Sequence, residues 1–342
     1  THPDYRKRGL VRAQFEVVHQ WSAERGELLQ AITGIPYYYR LFGYEMAGNL
    51  DGGRAGYLPH VPRLKDDEKE SYTIRLAELG DIPFMMELYE LGTKRSLLAC
   101  VRDEAVWRYE MEGKSAANVN RQELFIVDDL AGQPQAFFGA PPFVWGEMQV
   151  VQFYEVKSGV SWSAVTPAVI RFLEKLHAEH SAEEEKAKPF SAFGFWLGED
   201  HPVYHVIPSR LPFTRKSYAW YLRVPDLPAF LRRIASVLEQ RLEASYIPGY
   251  SGELKLTFYN SGLRLVFEKG CLSTVEPYKP TPAGHEGDAA FPGLTFLQLL
   301  FGYRSLDELR AAFPDCYLRM DEVYVLLNTL FPRQPSHIWP VS

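Results

Sequence analysis

Pro3-Asp4-Tyr5-Arg6-Lys7-Arg8-Gly9-Leu10-Val11-Arg12-Ala13 carries the most information in this chain. A basic loop with a single glycine runs straight into a helical apolar pattern. Val11, Phe15, Val18 and Ser22 share one stripe, with Leu10, Ala13, Val17 and Trp21 beside it. Gly26 closes that helix. Helix N-termini present unpaired N–H groups and a positive dipole end, so they bind phosphate. Gly9 permits close backbone approach. Arg6, Lys7, Arg8 and Arg12 add charge, and the arginine fork suits phosphate geometry. Taken alone, the same residues also describe a solvated basic helix cap.

The surrounding composition narrows the function classes. The 342 residues carry 37 Lys and Arg against 43 Asp and Glu, a formal net charge of -6. A nucleic-acid partner is not expected from this balance. Hydrophobic residues make up 46% and charged residues 23%, the profile of a globular chain with apolar material for more than one core. No apolar run approaches the roughly 18 residues of a membrane span, so no membrane partner is expected. The opening residues do not read as a signal peptide. Cys100, Cys271 and Cys316 are odd in number and far apart, which suits reduced thiols and a cytoplasmic setting.

Periodicity predicts strands at 28–32, 72–76, 124–127, 135–138, 149–156, 191–197 and 217–224, with a hairpin over 44–58 around Asp51-Gly52-Gly53. Helices are predicted at 81–91, 104–112, 164–177 and 228–244, and a short helix or turn at 36–42. A meander follows at 254–259, 263–268 and 272–276, turned first by Asn260-Ser261-Gly262. Helices at 295–301, 305–313 and 320–330 precede an apolar, aromatic tail, Ile338-Trp339-Pro340-Val341, that is expected to dock. The charge run at 65–70 reads as a linker and the 181–188 run as an exposed loop.

The opening loop resembles the acyl-CoA pyrophosphate loop of the GNAT N-acetyltransferases, whose pattern is Arg/Gln-x-x-Gly-x-Gly/Ala. Arg6 and Gly9 match, and Val11 stands where the pattern has a small residue. Downstream, Gly34-Ile35-Pro36-Tyr37-Tyr38-Tyr39-Arg40-Leu41-Phe42-Gly43-Tyr44 is similar to the Tyr-x-x-Phe-Gly-Tyr signature on that family's acceptor side. With the long C-terminal extension, the layout resembles the Eis (enhanced intracellular survival) branch. The resemblance implies an α+β fold in three parts. These are a partial GNAT domain over 1–65, a second, non-catalytic GNAT-like domain over 66–224, and a sterol-carrier-protein-like (SCP2-like) α/β domain over 225–342 whose tail returns to the active site. It also implies that the first GNAT domain lacks its N-terminal strands, so the chain as given is expected to transfer acetyl groups poorly or not at all.

The activity implied is direct attack of a primary amine on acetyl-CoA, with no metal. Arg6, Lys7, Arg8, Gly9, Leu10, Val11, Arg12, Thr33 and Gly34 form the implied cofactor-binding set. By register against Phe42-Gly43-Tyr44, Tyr39 falls where the family places the acid that meets the departing thiolate. A phenol with pKa near about 10 can protonate a thiolate whose thiol pKa is about 8.5. In the Eis branch the base is the C-terminal carboxylate, which here belongs to Ser342. The alternative for Tyr37, Tyr38 and Tyr39 is aromatic packing.

An acidic protein steers a cationic acceptor, such as an aminoglycoside, a polyamine or a lysine side chain. A homo-oligomer, a hexamer by resemblance, is expected. The rival reading is a catalytically silent protein that binds lipid or another small ligand on the same scaffold. His177-x-x-His180 and His201-x3-His205 have ligand-like spacing, but lack a convincing third ligand and read as exposed histidines. Gly113-Lys114-Ser115 is not a phosphate loop, because Arg108 stands where glycine is required.

Overall fold

Asp51-Gly52-Gly53 does not turn a hairpin. In the computed structural model, which describes residues 2–35, 37–182, 188–281 and 287–339, all three of these residues have positive φ, at 59°, 83° and 151°. The strand before them, Glu45–Leu50, lies beside Tyr218–Arg223. The strand after them, Gly53–Tyr57, pairs instead with Ala192–Phe195 and Phe213–Arg215. A Cβ at Gly53 would overlap the Phe195 carbonyl, so glycine is what lets these two strands approach. The expected 44–58 hairpin is corrected here: the turn chemistry is local, but the strands choose distant partners.

The chain forms two compact units, Thr1–Gly48 with Ala219–Gln334, and Asn49–Tyr218 with Pro335–Ser342. The first unit opens with the helix Leu10–Glu24. Its three-stranded sheet runs in the order Gln30–Ile32, Tyr218–Arg223, Glu45–Leu50. Gln30 is opposite Arg223 and Ile32 is opposite Tyr221. The rest of this unit is a five-stranded sheet. The expected meander forms its core as Gly252–Thr257, Gly262–Glu268 and Cys271–Tyr278, extended beyond Gly252–Thr257 by the short strands Ala289–Ala290 and then Tyr317–Leu318. Leu254, Leu256 and Leu265 are fully buried on one face, as period-two alternation requires. The helices Phe296–Leu300, Leu306–Ala312 and Asp321–Leu330 fall where predicted. The 228–244 helix is broken at Ile234 into Leu227–Arg233 and Ala235–Glu243.

The second unit has two four-stranded sheets. One is antiparallel: Tyr72–Leu76, Glu123–Asp129, Pro134–Ala140, Phe153–Val156. The other runs Phe213–Arg215, Gly53–Tyr57, Ala192–Phe195, Met148–Val151. The single strand predicted over 149–156 is therefore two strands that part at Gln152. The first half pairs in parallel with Ala192–Phe195 and the second half antiparallel with Pro134–Ala140. The helix Trp162–Ser181 buries Val165, Val169, Leu173 and Leu176 against this core. The charged trio Arg102, Glu110 and Lys114 is buried, with Glu110 Oε2 accepting from Arg102 Nη1 at 3.1 Å and lying 3.0 Å from Lys114 Nζ.

The tail belongs to this second unit up to Trp339. The Leu97 N–H donates to the Pro335 carbonyl at 2.9 Å and the His337 N–H to the Leu98 carbonyl at 3.1 Å. Trp339 is buried beside Phe153, ring centroids 5.8 Å apart. Cys100, Cys271 and Cys316 are free thiols. Among the described residues no helix is long and apolar enough to cross a membrane.

Candidate active site

Within the first unit, the basic loop and the turn Tyr38–Phe42 line one groove of about 280 Å³. Its walls are Tyr5, Arg6, Lys7, Arg8, Gly9, Leu10, Val11 and Arg12 on one side, with Tyr38, Leu41 and Phe42 on the other. Lys7 and Gly9 both have positive φ, 60° and 74°, and this bends the loop tightly around the start of Leu10–Glu24. Gly9 is the N-cap, and nothing lies within 4 Å of where its Cβ would stand. The backbone there is open to an incoming group. The first-turn N–H groups of Leu10, Val11 and Arg12 have no intrahelical acceptor by construction. Arg8 lies over the Tyr5 ring at 5.3 Å and Arg12 over the Phe42 ring at 5.7 Å, contacts that hold both guanidinium groups at the groove. Thr33 and Gly34 fall outside this lining.

Tyr39 sits in the turn Tyr38–Phe42, whose ends are set by left-handed Tyr37 (φ 64°) and Gly43 (φ 84°). The Tyr37 N–H donates to the Tyr221 hydroxyl at 2.9 Å. The Tyr39 ring packs edge-on against Phe15 at 5.9 Å and near Tyr221 at 5.8 Å. Its hydroxyl lies against Gly34, where an added Cβ would stand 2.7 Å away. Gly34 thus supports Tyr39 rather than the basic groove. Ser342, the other expected catalytic group, lies outside the described residues.

Polar contacts elsewhere in this unit escaped the sequence reading. His19 Nε2 is 3.0 Å from the Tyr44 hydroxyl, and Gln30 Oε1 accepts from Arg223 Nη1 at 2.7 Å. Burial, reinforced by the Arg223 charge, lowers the pKa of His19, and burial raises that of Tyr44, so both stay neutral. Glu45 is buried at 2% exposure. It accepts from Arg40 Nε at 3.0 Å, from Gln298 Nε2 at 3.1 Å and from the Met46 N–H at 3.0 Å. Only the Arg40–Glu45 spacing was visible locally. The partners Arg223 and Gln298 come from far along the chain.

No family model and no curated protein sequence matches the chain. Solved structures do. A GCN5-related N-acetyltransferase from Kribbella flavida superposes with a TM-score of 0.63 at 18% identity, covering 99% of this chain and 77% of its own. One from Anabaena variabilis gives 0.62 at 16%, covering 98% and 78%. Eis1 from Mycobacterium abscessus gives 0.56 at 15%, again covering 98% and 78%. The chain has the fold of the GCN5-related N-acetyltransferases. At these identities the likeness concerns the fold alone.

The ligand-like histidine pairs have other roles. His177 and His201 are buried, at 2% and 6% exposure, not exposed as expected. His201 Nε2 donates to the Tyr154 carbonyl at 3.0 Å and Nδ1 accepts from the Val203 N–H at 3.3 Å. His180 pairs with Glu123 at 2.8 Å and His205 with Asp200 at 2.6 Å.

Proposed function

We propose that the protein is an N-acetyltransferase that moves acetyl from acetyl-CoA to a primary amine. The observation that carries this reading is the groove in which Arg6, Lys7, Arg8 and Arg12 surround an open helix N-terminus, within the unit that also holds Tyr39. Four cations and unpaired N–H groups suit a pyrophosphate. The amine nitrogen attacks the thioester carbonyl carbon, the C–S bond breaks, and the Tyr39 hydroxyl gives its proton to the leaving thiolate. The amine proton passes to a base, for which the Ser342 carboxylate is proposed. Thr33 and Gly34 lie outside the groove's lining, and Gly34 acts through its support of Tyr39.

In this reading residues 1–65 belong to the catalytic GNAT domain, 66–224 form a non-catalytic GNAT-like domain, and 225–342 form the SCP2-like part. The acceptor is a cationic amine of the aminoglycoside, polyamine or lysine type, favoured by the net charge of -6. The protein works in the cytoplasm as a homo-oligomer, a hexamer by analogy.

Calorimetric titration of CoA into the protein tests the groove. Saturable binding that weakens about tenfold in Arg8→Ala and Arg12→Ala, and with added salt, supports it. Binding that ignores both substitutions overturns it.

A further inference from the structure

The short helix Phe296–Leu300 is buried at every position, and Gln298 is its one polar residue. The Gln298 Oε1 is sealed from solvent with no hydrogen-bond partner among the described residues, which is costly in apolar surroundings. Its Nε2 reaches the strand Glu45–Leu50 and donates to Glu45 Oε1 at 3.1 Å. Glu45 is itself a carboxylate at 2% exposure. A buried ion pair adds little stability over apolar residues of the same volume, and its best-attested use is to fix one geometry.

The geometry fixed here is that of the turn carrying Tyr39. Glu45 Oε2 accepts from Arg40 Nε at 3.0 Å and from Arg40 Nη2 as well. Arg40 directly follows Tyr39 in the turn Tyr38–Phe42. Its guanidinium also lies over the Tyr37 ring, 5.9 Å from the centroid. One side chain therefore joins the residue that opens the turn to the strand that leaves it. The turn's own backbone holds it weakly. The Arg40 N–H donates to the Tyr37 carbonyl at 3.3 Å and the Tyr44 N–H to the Tyr39 carbonyl at 3.3 Å, both longer than usual. Tyr37 stands in the left-handed region, φ 64°, which a residue with a Cβ disfavours. A turn of this kind keeps its shape through side-chain ties.

We propose that Gln298 is a positioning residue for Tyr39. Through Glu45 and Arg40 it fixes the turn Tyr38–Phe42, and with it the direction of the Tyr39 ring. The proposal rests on the acetyltransferase reading, in which the Tyr39 hydroxyl protonates the leaving thiolate. Gln298 needs no contact with either substrate, because it acts along the chain Gln298–Glu45–Arg40. The C-terminal part thereby takes a share in the reaction.

Gln298→Met tests this. It keeps the length and burial of the side chain and removes the unpartnered carbonyl, so the fold should survive. The expected result is a fall in kcat of about tenfold, with KM for acetyl-CoA and for the amine within about twofold, and an unchanged urea midpoint. The ring signal of Tyr39, in protein carrying isotope-labelled tyrosine and assigned by its absence in Tyr39→Phe, should shift. Arg40→Met reads the same chain from its half-exposed end, in case Gln298→Met fails to fold. It should lower kcat and move the Tyr39 signal in the same way, and Arg40→Lys, which keeps a cation for Glu45, should restore part of the rate. The double variant should lose no more than about the larger single loss, since both act on one tie. A Tyr39 signal that stays in place, a loss that falls on KM alone, or losses that multiply in the double variant overturn the proposal. Absence of transfer by the unsubstituted protein is a separate result. It counts against the acetyltransferase reading, and the Tyr39 signal still reports whether Gln298 fixes the ring.

Discussion

The Tyr39 hydroxyl rests on Gly34 so closely that a methyl group on Gly34 would stand 2.7 Å from the oxygen and 2.8 Å from ring carbon Cε2. Gly34 also holds φ at 146°, a conformation that a side chain disfavours. Gly34→Ala must therefore move the Tyr39 ring. The expected outcome is a loss of thiol release of at least about tenfold, since small misplacements of a reacting group are costly. CoA affinity should be unchanged, because Gly34 lies outside the basic groove. Parallel rate and titration measurements separate the two effects.

The buried trio Arg102, Glu110 and Lys114 sets a second expectation. Among the described residues Glu110 is the shared ionic partner of both cations, and all three side chains are at most 1% exposed. Glu110→Ala strands two positive charges in the core. Urea denaturation should show a loss of about 3–5 kcal/mol.

Trp339 anchors the tail in the core built by Ile82, Leu88, Trp107 and Phe153. Trp339→Ala removes a large buried ring, and a loss of about 3 kcal/mol is expected on denaturation. Amide exchange at Leu97 and His337, whose N–H groups join the tail to the loop at 97–98, should accelerate in the same variant.

His337 makes stability depend on acid. Burial and the neighbouring His201 lower its pKa from 6.5 to about 4. Between those values the unfolded chain binds a proton that the folded chain refuses, so stability is present above pH 6.5 and is lost as pH falls toward 4. Denaturation midpoints across that window should decline, and His337→Gln should flatten the decline.

The loop-to-helix junction at Arg6–Arg12 and the aromatic turn at Tyr38–Phe42 were legible in sequence because each is a local device: a glycine cap, a charge cluster, a positive-φ stop. The meander was legible for the same reason, through its alternation and the Asn260-Ser261-Gly262 turn. What local signals did not reveal was partner choice. Asp51-Gly52-Gly53 has hairpin chemistry, yet its flanking strands join different sheets. The break at Gln152 sits inside a continuous strand-like run, and the different partners of its two halves, Ala192–Phe195 and Pro134–Ala140, create it. The Tyr218–Arg223 strand crosses into the sheet of Gln30–Ile32, a pairing fixed by tertiary packing. His19, Tyr44 and Arg223 came together by that same pairing, which is why the sequence did not connect them.

The most direct test of the central claim is thiol release from acetyl-CoA across a panel of primary amines, with acetylated product identified by mass. The account predicts amine-dependent release with at least one cationic amine, falling at least about tenfold in Tyr39→Phe. No release with any amine, together with no CoA binding, would contradict it and favour a silent ligand carrier.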